Sequence, residues 1–389
     1  MGHREEKSVG MRIWDILPGL FGAFNWREET CYSPALKQLL GTGKRRLCLV
    51  VIDGMGQQLL SARRGHIPFM RPYLSQLPEV LGQPLKTCVP STTVAALTSL
   101  HTGLSPAKTG MLGYQCWDED AGRVLNLITF EGFKRPAQSW CDYPTFFTYA
   151  TKAGLQSRAL VPPDFVGSTL SEITLRDADF KVSTELSKRA SDALQAFKQG
   201  VDYVYLYWSG LDHWGHNLGW SHPRWIQELE SVDRFLSDLH SCLPGDVALV
   251  VTADHGMVNV SVDTTVDIAE SGLASQVEAV SGEPRALHIR LRGDCLEDHP
   301  SGNHTRSAPR TSVTAKWQEY VGKRGQVVSD YRPVYGDILL PERIGDFTIF
   351  AKGNYQFVDT RFHNPSVLQM VGVHGALTPQ EMEIPLIIA

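Results

Sequence analysis

The stretch VDYVYLYWSGLDHWGH, residues 201–216, decides the fold. It opens as a short apolar run rich in valine and tyrosine and ends on Asp212, His213 and His216, one carboxylate and two imidazoles. An apolar run of that length, stopped by a polar glycine-containing segment, reads as a buried strand. Two other runs finish the same way. RLCLVVIDG (46–54) closes on Asp53, and DVALVVTADHG (246–256) closes on Asp254 and His255. Buried strands that release acid and imidazole groups at their carboxyl ends point to an open, largely parallel sheet with its active site on that edge.

The elements between these strands support that reading. STELSKRASDALQAFKQG (183–200) is an amphipathic helix with a Ser/Thr start and a glycine stop, and it leads directly into the strand of 201–207. SHPRWIQELESVDRFLSDLHSCLPG (221–245) is a second, longer amphipathic helix ended by Pro-Gly. LQSRALVPPDF (155–165) is a short strand stopped by two prolines. Strand and helix alternate here as in βαβ units, so the fold class is α/β, with a largely parallel central sheet flanked by helices.

Upstream, WDILPGLFGAF (14–24) has the apolar surface to lie against a core, YSPALKQLL (32–40) suggests a short helix, and PYLSQLPEVLGQ (72–83) reads as a surface helix. In LKTCVPSTTVAALTSLHTG (85–103), Pro90 to Thr93 precede a helical run that stops at Gly103. Thr93 falls at the first turn, where free backbone N–H groups favour a bound anion; on the local sequence alone an ordinary Ser/Thr cap is the better reading. MLGYQCWDEDAGRVLNLITFEG (111–132) reads as a loop followed by a strand. The aromatic residues Phe130 to Tyr149 suit either a pocket wall or core packing. Texture changes from about 261 to 365, where GEPRALHIRL (282–291) reads as an exposed strand, EDHPSGNHTRSAPR (297–310) as a polar loop, and VTAKWQEYVGKRG (313–325) as a helix. We therefore expect a catalytic α/β core of residues 1–260 and 366–389, interrupted by a smaller α+β insertion or cap at 261–365, and closed by a final apolar strand.

At 389 residues and 43.2 kDa, the chain has room for a large core with an elaboration. A net charge of -5 and a pI near 6.2 argue against stable nucleic-acid binding or a membrane-surface role, both of which call for a basic face. The seven cysteines follow no CxxC spacing and are odd in number, so a disulfide framework or structural zinc knot is not expected. MGHREEKSVGMRIW at the start lacks a continuous apolar region, and no stretch approaches eighteen apolar residues. These features point to a soluble cytoplasmic protein. The sequence carries no mark of oligomeric state.

The polar residues at strand ends fall into two sets: Asp53, Thr93, Asp254 and His255, and Asp212, His216 and His374. Mixed carboxylate and imidazole donors suit zinc, manganese or iron better than magnesium. Two such ions about 4 Å apart can hold a phosphoryl group between them. The ordered series VVIDGMG, VPSTTVAALTSLHTG, WSGLDHWGH, VVTADHGM and a late VHG resembles the alkaline phosphatase superfamily, and within it the type I phosphodiesterase/nucleotide pyrophosphatase family. The resemblance covers about residues 45–115, 200–260 and 370–389. It implies an alkaline-phosphatase-like fold and two divalent metal ions, with zinc favoured and manganese or iron as alternatives. Thr93 would be the nucleophile, attacking phosphorus in line and passing through a phospho-threonine that is then hydrolysed. Asp53, Thr93, Asp254 and His255 match the ligands of one metal; Asp212, His216 and His374 match those of the other. His213, one residue after a ligand, reads as supporting.

Two departures bear on substrate. The family's phosphate-binding asparagine is matched by Tyr114, a possible phosphate contact, and its His-Gly by Thr109-Gly110. The expected partner is a phosphorylated small molecule or nucleotide carrying a phosphodiester or pyrophosphate. A phosphomonoesterase or phosphonate hydrolase is the nearest alternative, and would call for a cation such as Lys86, Lys108 or Arg123 at the phosphate. A non-catalytic metal-stabilised binding protein would lack the nucleophile or ligands, and neither is missing.

Overall fold

A computed structural model describes residues 10–297 and 308–389. His299 and His304, expected to be surface or packing residues, lie outside the described residues, as does most of the polar loop that contains them. Ten strands form the two principal sheets: β1 (Arg46–Ile52), β2 (Ser157–Val161), β3 (Asp179–Val182), β4 (Tyr203–Trp208), β5 (Val247–Thr252), β6 (Val277–Glu283), β7 (Ala286–Leu291), β8 (Gly325–Val328), β9 (Phe347–Ala351) and β10 (Leu386–Ile388).

The central sheet runs β10-β5-β1-β4-β2-β3. Its first five strands in chain order pair in parallel, while the final strand, β10, adds antiparallel to β5. β1 lies between β5 and β4, with Val50 opposite Leu206 on one side and Val251 on the other. β4 and β5 are buried along nearly their whole length, as continuous apolar runs covered on both faces should be. Long helices, Leu186–Lys198 and Pro223–Cys242, cover the sheet with Ala193, Ala196 and Phe197 from one and Trp225, Leu229 and Leu236 from the other. The first of these begins at Glu185 rather than at the Ser183–Thr184 pair, because the Ser183 carbonyl instead accepts the buried Arg189 guanidinium.

The N-terminal apolar segment is the helix Ile13–Ala23, packed in the main core despite Pro18 within it. Residues 111–132 form a hairpin, Gln115–Asp118 against Arg123–Asn126, where a loop and one strand were expected. The aromatic crowd is core: Phe146 and Phe147 join the main cluster, while Phe130 and Trp140 anchor a second one.

The second sheet, β6-β7-β9-β8, is antiparallel and drawn from residues 277–351. The expectation of an exposed strand at 282–291 is corrected. Ala286 to Ile289 are buried because β7 is interior, with β6 and β9 on its sides and Trp317 and Val321 of the helix Thr311–Val321 in the same cluster. Asp346 is likewise buried and accepts the Leu291 amide at 2.6 Å, whereas Asp337 is exposed. All seven cysteines are free thiols. Among the described residues, no helix is long and apolar enough to cross a membrane.

Candidate metal centre

The strand order puts the polar residues together. β5, β1 and β4 are neighbours and parallel, so Asp254 and His255, Asp53, and the Ser209–Gly210 turn all emerge at one edge. That turn starts the helix Gly210–Leu218, on which Asp212 and His216 are four residues apart and face the same way. His374 follows the two-residue strand Gly372–Val373, which pairs with Val258–Asn259 just beyond His255. Thr93 opens the helix Thr93–Thr102, and Thr92 occupies the cap position without a capping side-chain bond.

Backbone crowding at this edge explains the motif glycines. Gly54 has φ +72°, and a Cβ there would lie 3.2 Å from the Asp212 Cβ. A Cβ on Gly256 would lie 2.0 Å from the Gln380 carbonyl oxygen, which permits no side chain.

Side-chain atoms then converge. His255 Nε2 lies 3.1 Å from Thr93 Oγ1, 3.3 Å from Asp53 Oδ1 and 3.6 Å from Asp254 Oδ2. His216 Nε2 lies 3.2 Å from Asp212 Oδ2, and His374 Nε2 is 3.9 Å from Asp212 Oδ1. Among the described residues, two groups have the compactness of a metal site: Asp53, Asp254 and His255, and Asp212, His255 and His374. His255 is shared between them, and its ring stacks on His374 at 3.6 Å.

The donors fit a metal in three further ways. Zinc–ligand bonds of about 2.0–2.1 Å imply tetrahedral ligand–ligand edges of roughly 3.3 Å, the range seen around His255 Nε2. Asp53 Oδ1, Asp212 Oδ1 and Asp254 Oδ2 are buried without a hydrogen-bond partner, although buried oxygens are normally satisfied. Each imidazole also has a backbone carbonyl at its other nitrogen. Nδ1 of His216 faces Gly372 O at 2.7 Å, that of His255 faces Gly256 O at 3.0 Å, and that of His374 faces Ser91 O at 2.8 Å. Donation from Nδ1 leaves Nε2 as the free donor atom, the arrangement usual for metal-binding histidines.

The remaining carboxylate oxygens are fixed from outside. The amides of Gly54 and His255 donate to Asp254 Oδ1 at 3.1 and 2.9 Å, and the Tyr207 hydroxyl donates to Asp53 Oδ2. Burial, together with the facing Asp254 and Asp212, pushes the Asp53 carboxyl well above the ordinary range. Burial alone would raise Asp212 too, but His216 and His374 hold it below that range. His216 is pulled down by burial and up by Asp212; the carboxylate prevails and raises it to about 9. His374 is driven well below its usual value by burial and by His255.

All seven proposed ligand positions therefore meet in one place. His213 lies on the exposed face of its helix, near Asn217 and Trp214. His101 is buried between Phe147 and Tyr205. Tyr114 is half-buried; its hydroxyl accepts from Asn126 Nδ2 at 2.7 Å and so keeps its own proton to donate. Thr109 is buried, and the Gly110 carbonyl accepts from Arg343 at 3.1 Å. Lys86, Lys108 and Arg123 are all exposed, and Arg123 donates to Glu131 O at 2.9 Å. Sequence reasoning missed Glu283, a buried acid on β6 that accepts the Tyr114 amide at 2.9 Å. Nothing in GEPRALHIRL sets it apart from a surface charge.

The profile described as Type I phosphodiesterase / nucleotide pyrophosphatase matches residues 47–377, which include the second sheet, the central sheet apart from β10, and all of the convergent side chains. The chain belongs to this family. Human ectonucleotide pyrophosphatase / phosphodiesterase 5 shares its fold at a TM-score of 0.64 and 16% identity, covering 88% of this chain and 87% of that one. An inactive murine form of the same protein, in complex with AMP, superposes at 0.60, also at 16% identity and the same coverage. GPI ethanolamine phosphate transferase 3 of Schizosaccharomyces pombe is 30% identical over 103 residues, 25% of this chain and 11% of that protein. The catalytic subunit of the Mus musculus protein is 24% identical over 232 residues, 54% and 19% respectively. The chain thus spans under a fifth of the length of these curated relatives.

Two measurements test this family member's centre. Tyr207→Phe removes the donor to Asp53, and zinc affinity should fall by about 10–100-fold with the fold retained, as read by competition with a chelator. His216, raised to about 9, carries a proton at neutral pH that a divalent metal bound at its Nε2 would displace. Affinity should therefore climb with pH until about 9. Calorimetry at pH 7 in buffers of different ionisation enthalpy should register release of ~1 proton or more per chain.

Proposed function

We propose that the protein is a two-metal hydrolase of phosphodiester or pyrophosphate bonds in a small metabolite or nucleotide, acting through a phospho-Thr93 intermediate. The observation that carries this reading is the position of Thr93. Its hydroxyl stands at the first turn of a ten-residue helix, 3.1 Å from His255 Nε2 and beside unsatisfied carboxylate oxygens. The AMP bound to the murine structure supports a nucleotide as one substrate class.

Asp53, Thr93, Asp254 and His255 would hold one ion, and Asp212, His216 and His374 the other. Zinc fits this mixed oxygen and imidazole set best, ahead of manganese or iron. When bound, the pair supplies Lewis-acid charge that favours the ionised Thr93 hydroxyl and neutralises the phosphoryl oxygens. Thr93 Oγ1 then attacks phosphorus in line, the leaving oxygen departs, and water releases the phosphoryl group from Thr93 in a second displacement. The free N–H groups at the start of the Thr93 helix face the same place and favour its negative charge. The Tyr114 hydroxyl, with its proton free, serves as a donor to a non-bridging oxygen.

The monoester or phosphonate alternative is weakened because, among the described residues, Lys86, Lys108 and Arg123 make no ion pair or hydrogen bond with the convergent residues, whereas a dianionic phosphate needs added positive charge. Retention of Thr93 with all its neighbours weighs against a purely binding role. We read residues 261–365 as the unit that selects the leaving group, and the seven free thiols support a reducing, cytoplasmic setting.

Zinc-loaded protein assayed on paired aryl phosphodiester and phosphomonoester substrates tests the reading. The diester should be preferred, and Thr93→Ala should lower kcat by at least about 10³-fold, the scale on which loss of a nucleophile is felt. Full activity in Thr93→Ala would sink the nucleophile; strong monoester preference would overturn the substrate class.

A further inference from the structure

The turn that joins β6 to β7 drives two buried charges into the catalytic core. Glu283 and Ala286 close the hairpin as a pair, with Pro284 and Arg285 between them. Arg285 is fully buried and donates through Nε and Nη2 to Glu381 at 2.9 and 2.6 Å. Glu381 in turn accepts the Ala376 amide at 2.9 Å through its side chain and the Gly256 amide at 2.8 Å through its carbonyl. This pair anchors the hairpin to the loops that follow His374 and His255.

Glu283 reaches the other side of the site. Its Oε2 accepts the Tyr114 amide at 2.9 Å, and the Thr92 side chain lies close enough to its carboxyl to favour the charged form. Its Cγ and Oε1 lie against Gly375, where a Cβ would sit 2.5 and 3.2 Å from them. Oε1 is buried and has no partner, and it abuts the backbone instead of opening toward a ligand. One side chain from the second sheet therefore touches the residue before the proposed nucleophile, the proposed phosphate contact, and the residue after His374. Burying a carboxyl is costly, and the Arg285–Glu381 pair already docks the hairpin. Docking alone thus leaves Glu283 unexplained.

We propose that Glu283 is a positioning residue for phosphoryl transfer, holding the Thr92–Thr93 turn and Tyr114 in register across the phosphate. This rests on the reading of Thr93 given above. Attack in line tolerates little displacement, and an error near 1 Å can cost on the order of 10²-fold in rate. The carboxyl is pushed up to about 8 by burial, so a neutral amide of the same shape is a fair replacement.

The test uses the full-length zinc-loaded protein and an aryl phosphodiester. Glu283→Ala should lower kcat by roughly 10²-fold, with KM and zinc content little changed. Glu283→Gln should restore most of that loss, because its amide oxygen still accepts from the Tyr114 amide. Thr92→Val should lower kcat in the same direction and add little to Glu283→Ala. Orthovanadate affinity, which needs no turnover, should weaken in Glu283→Ala and recover in Glu283→Gln. Wild-type kcat and vanadate affinity in Glu283→Ala would overturn the proposal. So would equal damage from alanine and glutamine, or a rate loss that only tracks lost zinc. If Glu283→Ala does not fold, Thr92→Val decides alone, and an unchanged kcat and vanadate affinity there is the refuting result. A fully active Thr93→Ala counts against the reading of the site; a fully active Glu283→Ala beside an inactive Thr93→Ala counts against Glu283 alone.

Discussion

Three carboxylates, Asp53, Asp212 and Asp254, meet at the carboxyl edge of the central sheet, each with a buried oxygen that has no hydrogen-bond partner among the described residues. Among the described residues, their ion-pair partners are imidazoles, with no lysine or arginine among them. Like charges taken out of water repel and lose hydration together, and the upward shift of Asp53 expresses that conflict. Divalent cations resolve it, and this requirement organises the rest of the site. The Gly54 and His255 amides and the Tyr207 hydroxyl take the outer oxygens. Backbone carbonyls turn the three imidazoles inward.

The sheet supplies the rigidity that such a cluster needs. β5, β1 and β4 are paired residue by residue over six positions on each side of β1, so their ends cannot shift independently. Gly256 then allows the His255 loop to pass against Gln380, and Gly54 allows the Asp53 turn to approach Asp212. The proposed ligands on the Gly210–Leu218 helix inherit their spacing from the helical repeat, so one turn presents Asp212 and His216 together.

The second sheet is more than an attachment beside the site. Its hairpin turn inserts Arg285 and Glu283 among the loops bearing His255, His374 and Thr93, and shares a cluster with Val94, Met111 and Leu112 around Ala286 and Phe350. On the proposed reading, variation in this sheet reaches the phosphate through the positioning of Tyr114 and the turn before Thr93.

The sequence by itself determined the parallel core, the strand ends and the seven residues proposed as ligands. Strand burial and helix periodicity are local patterns; DG and DHG are weak singly, and the ligand reading comes from the order of the five segments and their resemblance to the family. Sharing of His255 between the two groups, exposure of Lys86, Lys108 and Arg123, and burial of β7 depended on contacts between distant segments. GEPRALHIRL alternates charge and apolar residues as a surface strand would. Only the packing of β9 and the helix Thr311–Val321 against it, and of Glu381 and Thr92 around its turn, makes those charges interior. A charge is read as solvated until its partner is known, and both partners here lie about a hundred residues or more away along the chain.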